Sequence, residues 1–200
     1  MFKKILIIFI GLVLLLPLTT NADSFEKNAA YTVCFTPGAD CTAEIVDAVN
    51  NAVNSIWVQA YSFTSRPIAK ALVTAKQRGV NVQIVMDKSV LDRPAGAWNF
   101  VRNGIPVWID KQPAIAHNKV MILDQTRVIT GSFNFTYSAQ NKNAENVLII
   151  DDAGLAKQYL ANWQKRQSVS DPLVLSSIPD QKTNWLQELW RWLERLFGKL

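Results

Sequence analysis

Apolar positions along this chain switch repeatedly between two spacings. Tyr31 to Phe35 reads as a short strand. From Ala43 to Asn54, Ile45, Val46, Val49 and Val53 recur with the period of an amphipathic helix. Ser55 to Phe63 is β-branched and aromatic and predicts a strand. Arg66 to Arg78 places Ile68, Leu72, Val73 and Ala75 on one side and stops at Gly79, a helix with a glycine terminator. Val80, Val82, Ile84 and Met86 alternate as a strand does. A helical stretch at Ala95 to Arg102 ends at Asn103-Gly104, and Ile105 to Ile109 is strand-like again. Two apolar strands, Lys119 to Leu123 and Arg127 to Thr130, flank the hairpin-like turn Asp124-Gln125-Thr126. Val147 to Ile150 predicts a buried strand. Asp151-Asp152 then lead a helix through Leu155, Tyr159, Leu160 and Trp163. Strands alternating with helices predict an α/β layered domain with a largely covered sheet.

The two ends follow different patterns. Lys3 and Lys4 precede an apolar run from Ile5 to Leu16, then Pro17 and the polar, small-residue segment ending at Ala22. That is the layout of a secretory signal peptide, cleaved after Ala22, and it predicts export to the periplasm or beyond. An uncleaved membrane anchor is the alternative, although the run is shorter than the roughly 20 residues a spanning helix needs. The catalytic domain is expected over residues 23–168, and the proline-containing stretch 169–183 reads as a linker. In 184–200, Trp185, Leu186, Leu189, Trp190, Trp192, Leu193, Leu196, Phe197 and Leu200 share an arc of roughly 160° at about 100° per residue. Such a helix either lies in a membrane interface or packs on protein.

With 49% apolar residues in 200 positions, the chain can bury one substantial core, and its length suits one domain. The formal charge of +5 resembles a nucleic-acid signal until it is located. Lys3 and Lys4 supply part of it, and Lys182, Arg191, Arg195 and Lys199 supply more, so the body between is close to neutral and net charge says little about what it binds. Cys34 and Cys41 bracket a turn-forming stretch. In an exported protein they are expected to form a disulfide closing a small loop, contributing on the order of 2–3 kcal/mol. Two cysteines without a nearby histidine do not make a zinc shell.

The chain has one histidine. It stands in His117-Asn118-Lys119, followed by Asp124, then Gly131-Ser132-Phe133-Asn134-Phe135-Thr136, then Asn143-Ala144-Glu145-Asn146. In a strand starting near His117, His117 and Lys119 project from one face. An imidazole beside an ammonium suits a phosphate-like group, one attacking or donating a proton and the other neutralising charge. Ser132 and Asn134 share period-two spacing and offer donors, Gly131 lets backbone approach a ligand closely, and Glu145 could hold the imidazole by its second nitrogen. Each residue alone has an ordinary structural explanation; the arrangement is what points to phosphate transfer, and it includes no metal ligand set and calls for no cofactor.

His117-x-Lys119-x4-Asp124 followed by Gly131-Ser132-x-Asn134 resembles the signature of the phospholipase D superfamily. Ala60-Tyr61-Ser62-Phe63-Thr64 and Gly131 to Thr136 are similar to segments of its small bacterial branch, the Nuc-type endonucleases, and the resemblance runs from about Tyr31 to Gln167. It implies a layered α-β-α sandwich around a central mixed sheet, with one motif per chain. It also implies that His117 attacks phosphorus to give a phosphohistidine, that Lys119 and Asn134 bind non-bridging oxygens, that Ser132 lines the pocket and that Glu145 orients His117. Asp124 is assigned turn contacts and no chemical step. Larger relatives carry two motifs whose histidines divide nucleophile and acid roles. One motif and no internal repeat therefore imply a homodimer. The substrate is left open between nucleic acid and glycerophospholipid. An idle membrane or nucleic-acid binding module is a third reading, with Trp185, Trp190 and Trp192 as possible membrane contacts.

Overall fold

A computed structural model describes residues 23–174, 176 and 189–195. The expected signal peptide, most of the expected linker, and Trp185 with the flanks of the C-terminal helix lie outside the described residues.

In chain order the strands are β1 (Ala30–Thr36), β2 (Ser55–Ala60), β3 (Asn81–Asp87), β4 (Val107–Asp110), β5 (Lys119–Leu123), β6 (Arg127–Gly131), β7 (Glu145–Asp151) and β8 (Asp171–Pro172). The helices are α1 (Cys41–Asn51), α2 (Arg66–Gln77), α3 (Ala95–Arg102), α4 (Tyr137–Asn141) and α5 (Ala153–Gln167). The strands form one mixed sheet in the order β1-β7-β6-β5-β2-β3-β4-β8. β2, β3 and β4 are parallel neighbours, with α2 and α3 as crossovers, and the other pairs are antiparallel.

The sheet's two faces are covered unequally. Ile45 and Val49 of α1, Ile68 and Leu72 of α2, and Phe100 of α3 pack on one face, against Ile56, Val58, Ile84, Met121 and Ile129. On the other face Ala156 and Trp163 of α5 meet the alternate residues Val85, Val120, Ile122 and Val128, and the Trp163 indole N–H donates to the carbonyl of Val58 at 2.9 Å. These are the three layers the sequence pattern requires. The cover stops short of β1, however, because α5 lies over the central strands. Tyr31, Val33 and Phe35, at spacing two on this edge strand, remain exposed.

Several boundaries move for identifiable reasons. α1 ends at Asn51, and Val53 is exposed although it sits at helical spacing. The Asp124 carboxylate accepts the N–H groups of Val53, Asn54 and Ser55 at 2.9, 2.7 and 2.9 Å, drawing that segment out of the helix and into β2. The opening of the stretch read as a linker is instead an edge strand, with Asp171 opposite Ile109. Cys34 and Cys41 form a disulfide with a Cα–Cα distance of 5.6 Å. It joins the end of β1 to the first turn of α1, which Asp40 caps by accepting the Ala43 N–H at 3.0 Å.

Candidate active site

The register of the sheet gathers the chemistry at one end of its strands. Lys119 opens β5 opposite Ala60, the last residue of β2. Tyr61 N–H donates to the Asn118 carbonyl at 2.9 Å, extending that pairing by a residue. Gly131 closes β6 opposite Val147, and Glu145 opens β7 opposite Thr36. The carboxyl ends of β1, β2, β3 and β6 therefore meet the amino ends of β5 and β7, the side of an open α/β sheet on which ligands commonly bind.

His117 lies in the loop immediately before β5, not in the strand. Its ring is exposed and meets the Tyr61 ring edge-on, with centroids 4.7 Å apart and planes at 61°. Lys119 is buried at 7% exposure. Its ammonium donates to the His117 carbonyl at 3.0 Å and lies 5.4 Å from the Tyr61 ring centroid. Burial pushes the Lys119 pKa below its ordinary value, while the charge of Glu145 pulls the other way. An ammonium held this dry, with one main-chain acceptor, gains most from a phosphate anion placed before it.

The expected bond from Glu145 to His117 is not made within the chain. The Glu145 carboxylate instead accepts the Ser132 hydroxyl at 2.5 Å and the Asn143 amide at 2.8 Å, and β6 stands between β7 and β5. Ser132 spends its proton on Glu145 and accepts the Asn146 N–H at 3.1 Å. Asn134 keeps its side-chain carbonyl oxygen buried, with no hydrogen-bond partner among the described residues. The loop carrying it is fixed by Thr64 and Ser65, whose N–H groups both donate to the Phe135 carbonyl at 2.9 Å. Gly131 has φ +147, and a Cβ there would fall on the Asn146 carbonyl oxygen, so only glycine permits this close approach of β6 and β7. Asp124 sits in the β5–β6 turn at the opposite end of the strands, away from all of these.

Two further residues serve this end of the strands. Tyr61 touches both His117 and Lys119; the sequence places it in the Ala60 to Thr64 segment without assigning it a task. Asp87, at the end of β3, is 2% exposed and accepts the Ala116 N–H at 2.7 Å and the Ser89 N–H at 2.8 Å. Burial pushes its carboxyl up, but the hydrogen bonds from Ser89 and Ala116 and the charge of Lys88 outweigh that, so it stays below the ordinary aspartate value. Lys88 donates to the Pro113 carbonyl at 2.9 Å and Asp110 accepts the Gln112 N–H at 3.1 Å. Asp110 is itself held by Arg166 in a two-pronged pair at 2.6 and 2.7 Å. The loop that delivers His117 is thus pinned at three points. Nothing in local sequence marks Asp87, because its partner stands 29 residues away. Among the described residues, no cluster of three or more His, Cys, Asp or Glu side chains could hold a metal ion.

Residues 45–166 match the family described as "Cardiolipin synthase, PLD-like domain". The chain belongs to the phospholipase D superfamily. It is 48% identical over 139 residues to "Phospholipase D" of Rickettsia prowazekii (strain Madrid E), an alignment covering 69% of this chain and 68% of that one. It is 30% identical over 132 residues to "Mitochondrial cardiolipin hydrolase" of Xenopus laevis, covering 66% and 63%. Among solved structures, the phospholipase D family member Nuc from Salmonella typhimurium superposes with a TM-score of 0.70 at 37% identity, covering 73% of this chain and 99% of that one. The fold is the superfamily's, of the Nuc-type branch, and the chain is a phosphodiesterase.

Proposed function

We propose that this chain is an exported phosphodiesterase that cuts nucleic acid through a phosphohistidine intermediate, with no metal ion required, in a homodimer whose site straddles the two-fold axis. The observation that carries this reading is His117 presented at the end of the strands on a pinned loop, with the buried Lys119 ammonium two residues away. The reactive imidazole nitrogen attacks phosphorus and forms a P–N bond as the P–O bond to the leaving group breaks. The partner's His117 gives its proton to the departing oxygen. Water then attacks the phosphohistidine, losing a proton to the same partner imidazole, and frees His117. Lys119 and the Asn134 amide stabilise the charge on the non-bridging oxygens, the task a metal performs elsewhere. Glu145, whose charge reaches Lys119 across β6, completes the site by orienting the imidazole of His117.

A second reading, hydrolysis of phospholipid head groups, draws on the relatives named phospholipase D and on Trp190 and Trp192, which are 62% and 54% exposed on a helical segment. Mature protein given plasmid DNA and phosphatidylcholine vesicles in parallel, with excess EDTA, distinguishes the two. DNA cleavage that survives chelation and vanishes in His117→Asn supports the proposal; loss of activity in EDTA with recovery on added metal overturns the mechanism.

A further inference from the structure

An open groove runs between α2 and α3 on the face away from α5. Arg66 and Lys70 of α2 border one side, and Arg93, with Asn99 of α3 and Asn103 just past its end, borders the other. Among the described residues, no carboxylate lines it. Four cations elsewhere are committed: Lys111 pairs with Asp171, Arg127 with Asp151 and Arg166 with Asp110, and Arg78 donates to the carbonyls of Val49 and Ala52. Among the described residues, Arg66, Lys70 and Arg93 pair with no acid. Arg66 and Lys70, four apart on a helix, project side by side. Three unspent cations facing one concavity in a body close to neutral make a local field that net charge conceals.

The groove adjoins the site. Its lining includes Phe63 and Thr64, which follow Tyr61 and its contact with His117. Thr64 and Ser65 are bonded to the Phe135 carbonyl beside Asn134. We propose that this groove binds substrate phosphates outside the scissile linkage, so that the enzyme holds a polynucleotide strand at several phosphates while one is cut. This rests on the nuclease reading above. A nucleic-acid strand carries a phosphate at every nucleotide, so a flanking anion is always available to the groove. Phosphatidylcholine continues from its single phosphate into acyl chains, for which three cations and two amides offer nothing. Phe63 and Phe100 in the groove floor are buried, at 6% and 1% exposure, and cannot stack with bases. Recognition here is therefore of backbone and independent of sequence.

The test is the triple variant Arg66→Ser, Lys70→Ser, Arg93→Ser, with the single reversal Lys70→Glu as a milder companion that keeps both arginines. Each is assayed on a single-stranded oligonucleotide and on bis(4-nitrophenyl) phosphate, over a range of salt. The ratio of kcat/KM on oligonucleotide to that on the small diester should fall at least roughly tenfold in the triple variant, through KM. The slope of log KM against log salt should flatten by about two, since each phosphate contact released contributes about 0.7 on single strands. Lys70→Glu should lower the same ratio several-fold. If wild type cuts oligonucleotide and both variants keep its ratio and its salt slope, the groove is not a subsite and the nuclease reading stands. If wild type cuts phosphatidylcholine vesicles and no oligonucleotide, both fail together.

Discussion

The ammonium of Lys119 donates to the main-chain carbonyl of His117 at 3.0 Å, so the cation and the imidazole of the candidate site are one structural unit. Burial lowers the Lys119 pKa from its ordinary 10.5. The cost of keeping this buried amine charged is present below the lowered value and relieved as pH rises through it. Lys119→Met should therefore reduce turnover by about two to three orders of magnitude without lowering the melting temperature at pH 7. In wild type, activity should fall as pH climbs through the lowered lysine value, where the cation is lost. A melting temperature several degrees below wild type would mean that the charged lysine stabilises the fold.

Assembly gives a separate expectation. One histidine per chain cannot be both nucleophile and acid in the same turnover. Wild type should sediment as a dimer, and His117→Asn mixed in excess with wild type, then re-equilibrated, should depress activity per wild-type chain because each site needs two imidazoles. A monomer with full specific activity in sedimentation would refute the shared site.

The tether at Asp87 acts on His117 through Ala116. Asp87→Ala leaves the buried Ala116 N–H without its acceptor, a loss of about 1–3 kcal/mol, and loosens the loop that delivers the imidazole. Turnover should drop about 10²-fold, with kcat falling and KM for bis(4-nitrophenyl) phosphate little changed, while Asp87→Glu recovers part of kcat. Equal losses in thermal stability and activity, with no recovery in the glutamate variant, would reduce Asp87 to a fold residue.

Much of this was legible in the chain. The expected segments became β1 to β7, α1 to α3 and α5, and the motif residues, Asp124 apart, gathered at one end of the strands. Long-range capture accounts for what was not. Val53 has helical spacing, but Asp124 takes its N–H from 71 residues away. β8 is two residues long and contains a proline, tolerable only at an edge, so no pattern announced it. α4, at five residues, is too short for periodicity. Glu145 accepts the Ser132 hydroxyl from the end of β6, a contact that separation along the chain does not reveal.

Asp124 supplies a pH signature far from the site. Burial raises its carboxyl pKa, but the N–H groups of Val53, Ser55 and Asn54 and the charge of Arg127 more than offset this, so the folded value lies below the ordinary 3.8. Its contribution is complete above 3.8 and is lost as pH falls through the lowered folded value. Asp124→Asn should cost about 2 kcal/mol at pH 7. The gap from wild type in urea denaturation should narrow steadily below about pH 4. A gap constant from pH 7 to pH 2 would show that shape, and not charge, matters in this turn.

The tail offers two opposed outcomes from one variant. Leu189, Trp190 and Trp192 are exposed on a helical segment, at 40%, 62% and 54%, an apolar face that either lipid or protein can cover. Large exposed aromatics beside Arg191 and Arg195 suit an anionic lipid surface, where apolar burial and charge attraction add. A protein ending at Ile178 keeps β8 and every residue of the candidate site. It should hold its melting temperature and its rate on bis(4-nitrophenyl) phosphate while losing co-sedimentation with phosphatidylglycerol vesicles. Were the face instead covered by a second copy, truncation would weaken dimer sedimentation or drop the melting temperature by several degrees, because burying tryptophans is worth kilocalories each. Vesicle binding and thermal midpoint measured on the same truncated sample separate the two, and vesicle binding equal to the full chain would end the membrane reading.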